Sequence, residues 1–275
     1  MKLIHEHFNS INELLSVLST RPNNAVMARE NSSQKIGDKS WYGTDNWEDA
    51  LYLLKTGYTN ILPEIKKEMR IQNKKYLLNT EVPKRKPSCS PVGYTPNITN
   101  AINNLPNSMI TIDYIPQKKK TLSLIYCIGG NCGEESESFI HAGVSLLTAI
   151  NILEKKGIQT QLSIGFMASA APDEGICPTV SVKNYNQKLN LQKLCFPIAH
   201  PAMHRRIGFK YLETCPELTN RNFAWGYGRS LHLDELIKYF PISNKNTKII
   251  NHEWIKNNSY DVLKIIDYFN GKGEI

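Results

Sequence analysis

Residues 121–166 constrain the fold most. They read as an apolar strand (TLSLIYCI), a Gly-rich polar loop (GGNCGEESES), a helix and a second strand (QTQLSIGF). Such a βαβ unit implies two parallel strands joined by a crossover helix. In open α/β sheets ligands sit in the crevice beyond the carboxyl ends of the strands. The loop at 129–133 is therefore the first place to look for a site.

The alternation continues downstream. A helix over 139–156 buries Ala142, Leu146, Ala149, Ile150 and Leu153 on one face, and Gly157 stops it. Further strands are expected at 159–167, at 179–185 as an edge strand, at 194–199 and at 247–251. Further helices are expected from Pro201 onward, at 233–239 and at 253–269. Strands at 110–115 and 122–128 read as a hairpin closed by the Gln-Lys-Lys-Lys turn. The expected architecture over 110–275 is an α/β domain, an open and mostly parallel sheet with helices on both faces.

Residues 1–109 are expected to pack on that core as helices and extended segments. Phe8, Ile11, Leu14, Leu15 and Leu18 share one helical face, with Asn9 or Ser10 as cap. A second helix follows Trp41-Tyr-Gly-Thr, capped by Asp45 or Asn46 and ended by Gly57, with Trp47, Ala50, Leu51 and Leu54 as its stripe. A charged helix and a basic, Pro-rich connector fill 62–88. The Pro- and Asn-rich stretch 92–109 cannot be a long helix, yet its apolar residues suggest packing against the core.

Composition bounds the partners. At 275 residues the chain is long enough for one large domain or a core with an extension. A net charge of +8 favours anionic partners such as nucleic acid or acidic protein faces. Basic chains are nonetheless often basic for solubility alone. The six cysteines are scattered without a CxxC pair, which suggests reduced thiols and a cytosolic setting. The N-terminus lacks the features of a signal peptide, and no run of about 18 apolar residues occurs, so no membrane partner is expected.

The motifs are incomplete. The loop Gly129-Gly130-Asn131-Cys132-Gly133 precedes a helix, where amides can hold an anion. It lacks the Gly-Lys-Ser/Thr of a phosphate loop and the spacing of GxGxxG; a tight turn is the preferred reading. Glu134, Glu135 and Glu137 with Ser136 and Ser138 offer oxygen ligands, but acids in a first helical turn are accounted for by the helix dipole. No metal and no cofactor are expected. His200 and His204 have the i, i+4 spacing of zinc sites without the adjoining Glu, and Pro201 places His200 at a helix cap. Arg205, Arg206 and Lys210 offer phosphate contacts or pair with Glu213 and Glu217. Lys118–Lys120 and the basic residues of 66–86, with Tyr76, Tyr94 and Trp41 as stacking groups, would suit single-stranded nucleic acid. Gly-x-Ser-x-Gly is absent.

Tyr42-Gly43-Thr44 with Gly57-Tyr58 resembles the H-G-T…G-F pattern of NAD-using ADP-ribosyltransferases, with Tyr42 in place of the histidine. The sheet half resembles a von Willebrand factor A-type or Rossmann-like domain, with Cys127-Ile-Gly-Gly-Asn-Cys132 where that family carries its metal-binding Asp-x-Ser-x-Ser. Taken together, Trp41-Tyr-Gly-Thr-Asp-Asn-Trp-Glu-Asp-Ala-Leu, Gly93-Tyr-Thr-Pro-Asn-Ile, Ala142-Gly-Val-Ser-Leu-Leu and His200-Pro-Ala-Met-His-Arg-Arg-Ile-Gly-Phe resemble an uncharacterised family of tailed-phage and prophage proteins. That resemblance implies a phage or mobile-element origin and a place in the host cytoplasm or the virion. The leading expectation is a non-catalytic protein that binds another macromolecule, a phage or host protein. Its candidate binding residues are Gly129, Gly130, Asn131, Gly133, Glu135, Ser136, His200, His204, Arg205 and Arg206. The alternatives are a nucleotide- or NAD-dependent enzyme using the 129–133 crevice, and a nucleic-acid binder using the basic segments.

Overall fold

The computed structural model describes residues 2–23, 31–76, 86–113, 120–171, 174–218, 227, 230–241 and 246–271. Its strands are β1 (Lys2–Ile4), β2 (His7–Phe8), β3 (Lys86–Ser90), β4 (Thr95–Pro96), β5 (Met109–Asp113), β6 (Thr121–Ile128), β7 (Gln159–Phe166), β8 (Ala168–Ala171), β9 (Glu174–Ile176), β10 (Thr179–Lys183) and β11 (Thr247–Asn251). Its helices are α1 (Ile11–Thr20), α2 (Lys39–Tyr42), α3 (Trp47–Thr56), α4 (Leu62–Tyr76), α5 (Ile98–Ile102), α6 (Ser136–Lys155), α7 (Leu191–Ala199), α8 (Phe209–Thr214), α9 (Leu233–Tyr239), α10 (His252–Asn257) and α11 (Val262–Phe269).

The central sheet runs in the order β11-β6-β7-β10-β2. β11, β6 and β7 are parallel, whereas β10 is antiparallel to β7 and parallel to β2. Both sets of alternating side chains on β6 are buried, Leu124, Tyr126 and Ile128 on one face and Ile125 and Cys127 on the other. A strand buried on both faces needs a layer on each, as in other α/β sheets. α6 lies against β7 and is packed by α4, α7, α10 and α11. It is the one helix among the described residues long and apolar enough to cross a membrane, and 72% of that window is buried in the fold.

Local chemistry explains the helix ends. The Ser10 side chain accepts from Glu13 N, Asn46 from Asp49 N and Asn190 from Lys193 N, each a side-chain N-cap. Gly57 ends α3 at φ 94°. The N-terminus is tied in by a bidentate Glu6–Arg21 pair at 2.7 and 2.9 Å, to which the Tyr211 hydroxyl also donates.

Several expectations are corrected. β5 pairs with β3 and β4 rather than with β6, because both edges of β6 are taken by β7 and β11. The expected hairpin is therefore not formed, and 114–119 of it lie outside the described residues. The expected boundary at 109/110 falls inside β5. β10 is no edge strand: β2 flanks it, with His7 Nδ1 2.9 Å from the Thr179 hydroxyl. Residues 194–199 belong to helix α7, a short apolar run whose period does not separate strand from helix. The last helix is broken into α10 and α11 by Ser259 and Tyr260, both near φ 57° in the left-handed region. Phe8 lies in β2, ahead of the helix it was assigned to.

Gly143 sets the distance between α6 and α7. A Cβ there would come within 2.3 Å of Ala199 Cβ and 2.6 Å of its Cα. Helix propensity alone would make Gly143→Ala stabilising. Overlap reverses the sign, and the variant is expected to lose about 1–3 kcal/mol. Urea denaturation of the two proteins checks this; an unchanged or raised midpoint would contradict the close approach.

Candidate functional site

The chain passes from β6 to β7 on one side of β6, while β11 flanks the other. The ligand crevice of such a sheet lies above that switch, at the carboxyl ends of β6 and β11. Here the place is filled. A Cβ on Gly129 would meet Met167 at 2.7 Å and Ser230 Oγ at 3.1 Å, and one on Gly130 would meet Phe139 at 2.9 Å. Neither glycine has positive φ, so both are small for the sake of packing. Glu134 N–H donates to Asn131 O at 3.0 Å and closes a tight turn. Asn131, Cys132 and Gly133 are exposed at its tip.

The chain around α2 lies over this turn. Trp41 Nε1 donates to Cys132 O at 2.9 Å. The Ser136 hydroxyl donates to the carbonyls of Trp41 and Ser40. The Arg205 guanidinium donates to Trp41 O and Glu134 O, and sits 4.3 Å from the Trp41 ring and 4.9 Å from the Phe139 ring. Burial brings Arg205 down to about 10, which leaves it charged at neutral pH.

A polar cluster lies beneath. Glu134 holds Lys256 at 2.9 Å and stands 3.5 Å from His252 Nε2. Its carboxyl is held down to about 2, first by His252 and then by Ser138 and Lys256, against the cost of burial. The Ser138 hydroxyl is 2.9 Å from the same His252 Nε2 and 3.0 Å from Tyr260 Oη. Serine, histidine and glutamate thus meet without forming a relay. In a catalytic triad the hydroxyl and the carboxylate occupy opposite ring nitrogens. Here both address Nε2, while Nδ1 faces Tyr126 Oη at 3.5 Å. Phe139 stacks on His252 at 4.4 Å and on His204 at 6.2 Å. His204 is buried with Nδ1 unpartnered, and burial first, then Arg205, pushes it down to about 3.

Of the remaining expected site residues, His200 and Arg206 are engaged inside the protein and Glu135 is not. Ala202 N–H donates to His200 Nδ1 at 3.1 Å, so His200 caps the helical turn that Pro201 begins; burial brings it down to about 3. No group of three or more potential metal ligands occurs among the described residues. Arg206, fully buried, donates through Nε to the Thr44 hydroxyl at 2.7 Å and otherwise to the carbonyls of Ser33, Lys35 and Thr44, with Tyr42 4.3 Å beneath its plane. The Tyr-Gly-Thr element compared with the NAD-using pattern is thereby engaged inside the protein. The expectation that Arg205 and Arg206 contact phosphate or pair with Glu213 is corrected: their donors are taken by backbone oxygens. Lys210 stands 3.9 Å from Glu213, which accepts from Ser33 N and Oγ and from Tyr227 Oη. Glu135 is exposed and makes no side-chain cap bond.

The basic features disperse. A cavity of about 540 Å³ is lined by Arg21, Lys55 and Lys210 with Trp47 and leucines of α1 and α3. Two of its cations are already answered, Arg21 by Glu6 and Lys210 by Glu213. Lys118, Lys119, 77–85 of the basic connector and the Tyr76 side chain lie outside the described residues. Trp41 is engaged with Cys132 and Arg205 and offers no free stacking face.

The feature that sequence reasoning missed lies in β3, β4, α5 and β5. These form a small antiparallel sheet, β3-β5-β4, with α5 in the β4–β5 connection. Its turns are built from Asn and Gly. Asn97 caps α5, Asn104 is left-handed at φ 52°, and a Cβ at Gly93 would strike Ile110 O at 2.3 Å. None of its residues joins the hydrophobic core. Val92, Tyr94, Ile98 and Ile102 are 66–79% exposed and Leu105 48%. The expectation that 92–109 packs against the core is thus overturned. Ile98 and Ile102 are spaced i, i+4 on a helix with no buried face, so both point outward. The legible signal was charge: residues 87–112 contain no Asp, Glu, Lys, Arg or His in a chain that is 21% charged. The arm thus combines a stretch without charge and large exposed apolar side chains.

A family model described as Domain of unknown function (DUF7192) matches residues 2–273. The chain therefore belongs to that family. No curated protein and no solved structure matches it.

The buried cluster predicts acid sensitivity. His200 and His204 bind protons more readily unfolded than folded between pH 6.5 and about 3. Glu134 does so between pH 4.5 and about 2. Stability is therefore full above pH 6.5 and falls as pH drops through both windows. Unfolding by urea at pH 7, 5.5 and 4 is expected to show this decline, and His204→Phe to lessen it. A wild-type stability flat from pH 7 to 4 would contradict the burial of both histidines in neutral form.

Proposed function

We propose that this protein is non-catalytic and works by binding another protein through the arm at 86–113. The observation that carries the reading is the set of exposed apolar side chains Val92, Tyr94, Ile98, Ile102 and Leu105 on a module that is uncharged from 87 to 112 and adds nothing to the core. Retaining such a surface costs solubility, and a partner offsets that cost. The closed switch point supports the same reading. The groups there with the chemistry of an active site, Ser138, His204 and His252, are buried and mutually engaged or enclosed. The β6–α6–β7 crossover with β11 on the far side supports kinship with von Willebrand A-type or Rossmann-like sheets, whose adhesive members bind proteins; this is fold analogy alone. The likeness to tailed-phage proteins supports a role in assembly or in host-factor binding.

A photo-crosslinking residue placed at Ile98 or Tyr94 in cells where the protein acts is expected to give discrete protein adducts. The same residue at Ile36, more exposed still and outside the arm, should give none of them. Adducts to nucleic acid alone, or nucleotide turnover lost on Asn131→Ala or Glu135→Gln, would overturn the reading.

A further inference from the structure

We infer that the arm at 86–113 docks onto the same arm of a second copy, forming a two-fold dimer. This rests on the reading of the arm as a docking surface and names its occupant.

Charge is the first argument. The chain carries a net charge of +8, so two copies repel through most of their surfaces. Residues 87–112 carry no charge, and two arms approach without that penalty. An acidic protein or a nucleic acid, which the rest of the chain would attract, finds no cation there.

The second argument is self-complementarity. A two-fold interface sets each patch against itself, so every group must tolerate its own kind. Apolar side chains do so. So do carboxamides, each of which both donates and accepts. The arm presents Tyr94, Ile98 and Ile102 as apolar anchors, with exposed Asn103, Asn104 and Asn107 among them. Tyrosine is favoured at the centre of such contacts.

Area is the third. Five apolar side chains of the arm are 48–79% exposed, and burying them in both copies would make an interface at the small end of the standard class of roughly 800 Å² per partner. With so few anchors the dimer is expected to be reversible, at the micromolar end of the range that interfaces of standard size span.

Sedimentation velocity of the full chain, from about 1 to 100 μM, spans such an affinity. The wild type is expected to shift from monomer to dimer across the series. Ile98→Asp/Ile102→Asp and, separately, Tyr94→Glu should stay monomeric with unchanged thermal midpoints, since the arm lies outside the core. A dimer that survives the arm substitutions, or a wild type monomeric at every concentration, overturns the inference. In either case adducts to a different protein from position 98 would leave the docking role of the arm standing, so the two readings fail separately.

Discussion

Two adjacent arginines, inside the six-residue π-helical turn Met203–Gly208, hold the segment from Ser33 to Thr44 to the sheet domain. Arg205 and Arg206 are 1% and 0% exposed. Neither has a carboxylate partner among the described residues. Their donors go to the carbonyls of Ser33, Lys35, Trp41, Thr44 and Glu134 and to the Thr44 hydroxyl, and their planes lie on Trp41, Phe139 and Tyr42. A buried cation is tolerated only when its donors are met. Conversely, a buried carbonyl left without its donor costs about 1–3 kcal/mol. The chain at 31–46 can therefore leave this place only by exposing both sides of the contact at once. Glu213, wholly buried and bonded to Ser33 and Tyr227, fastens the same segment from the next turn.

That clamp decides what the carboxyl end of the sheet can do. In most α/β sheets the switch point is left open. Here Trp41, Ser136 and Arg205 close over the 129–133 turn, while Phe139 and Met167 fill it from below. The two glycines at its base serve packing, and of the acids that follow Glu134 serves Lys256 and His252. The chemistry concentrated at this end is spent on cohesion. The arm, by contrast, spends its apolar side chains on solvent.

Much of the core was legible in order. The helix caps at Ser10 and Asn46, the glycine stops at 57 and 157, the span of α6 and the strands β6, β7 and β11 all follow from local chemistry that acts within a few residues. The errors have one physical source. Which strand pairs with which depends on competition for edges, and β6 had two better partners than β5. The apolar run at 194–199 has no period of its own, and packing against α6 makes it a helix. Residues 92–109 look like core because they are apolar, but side chains so close to Asn, Pro and Gly turns form a module too small to enclose them.

The sequence by itself determined the βαβ heart of the protein, most helix boundaries and the position of the one loop that deserved inspection, because periodicity, caps and glycine act locally. It also held the neutral stretch at 87–112, readable as a gap in the charge pattern. Only the tertiary structure decided that the base of the 129–133 turn is filled by packing and that the adjacent arginines are internal clamps. It alone showed the apolar arm standing clear of the core, because burial is a property of what the rest of the chain brings to a residue and not of the residue.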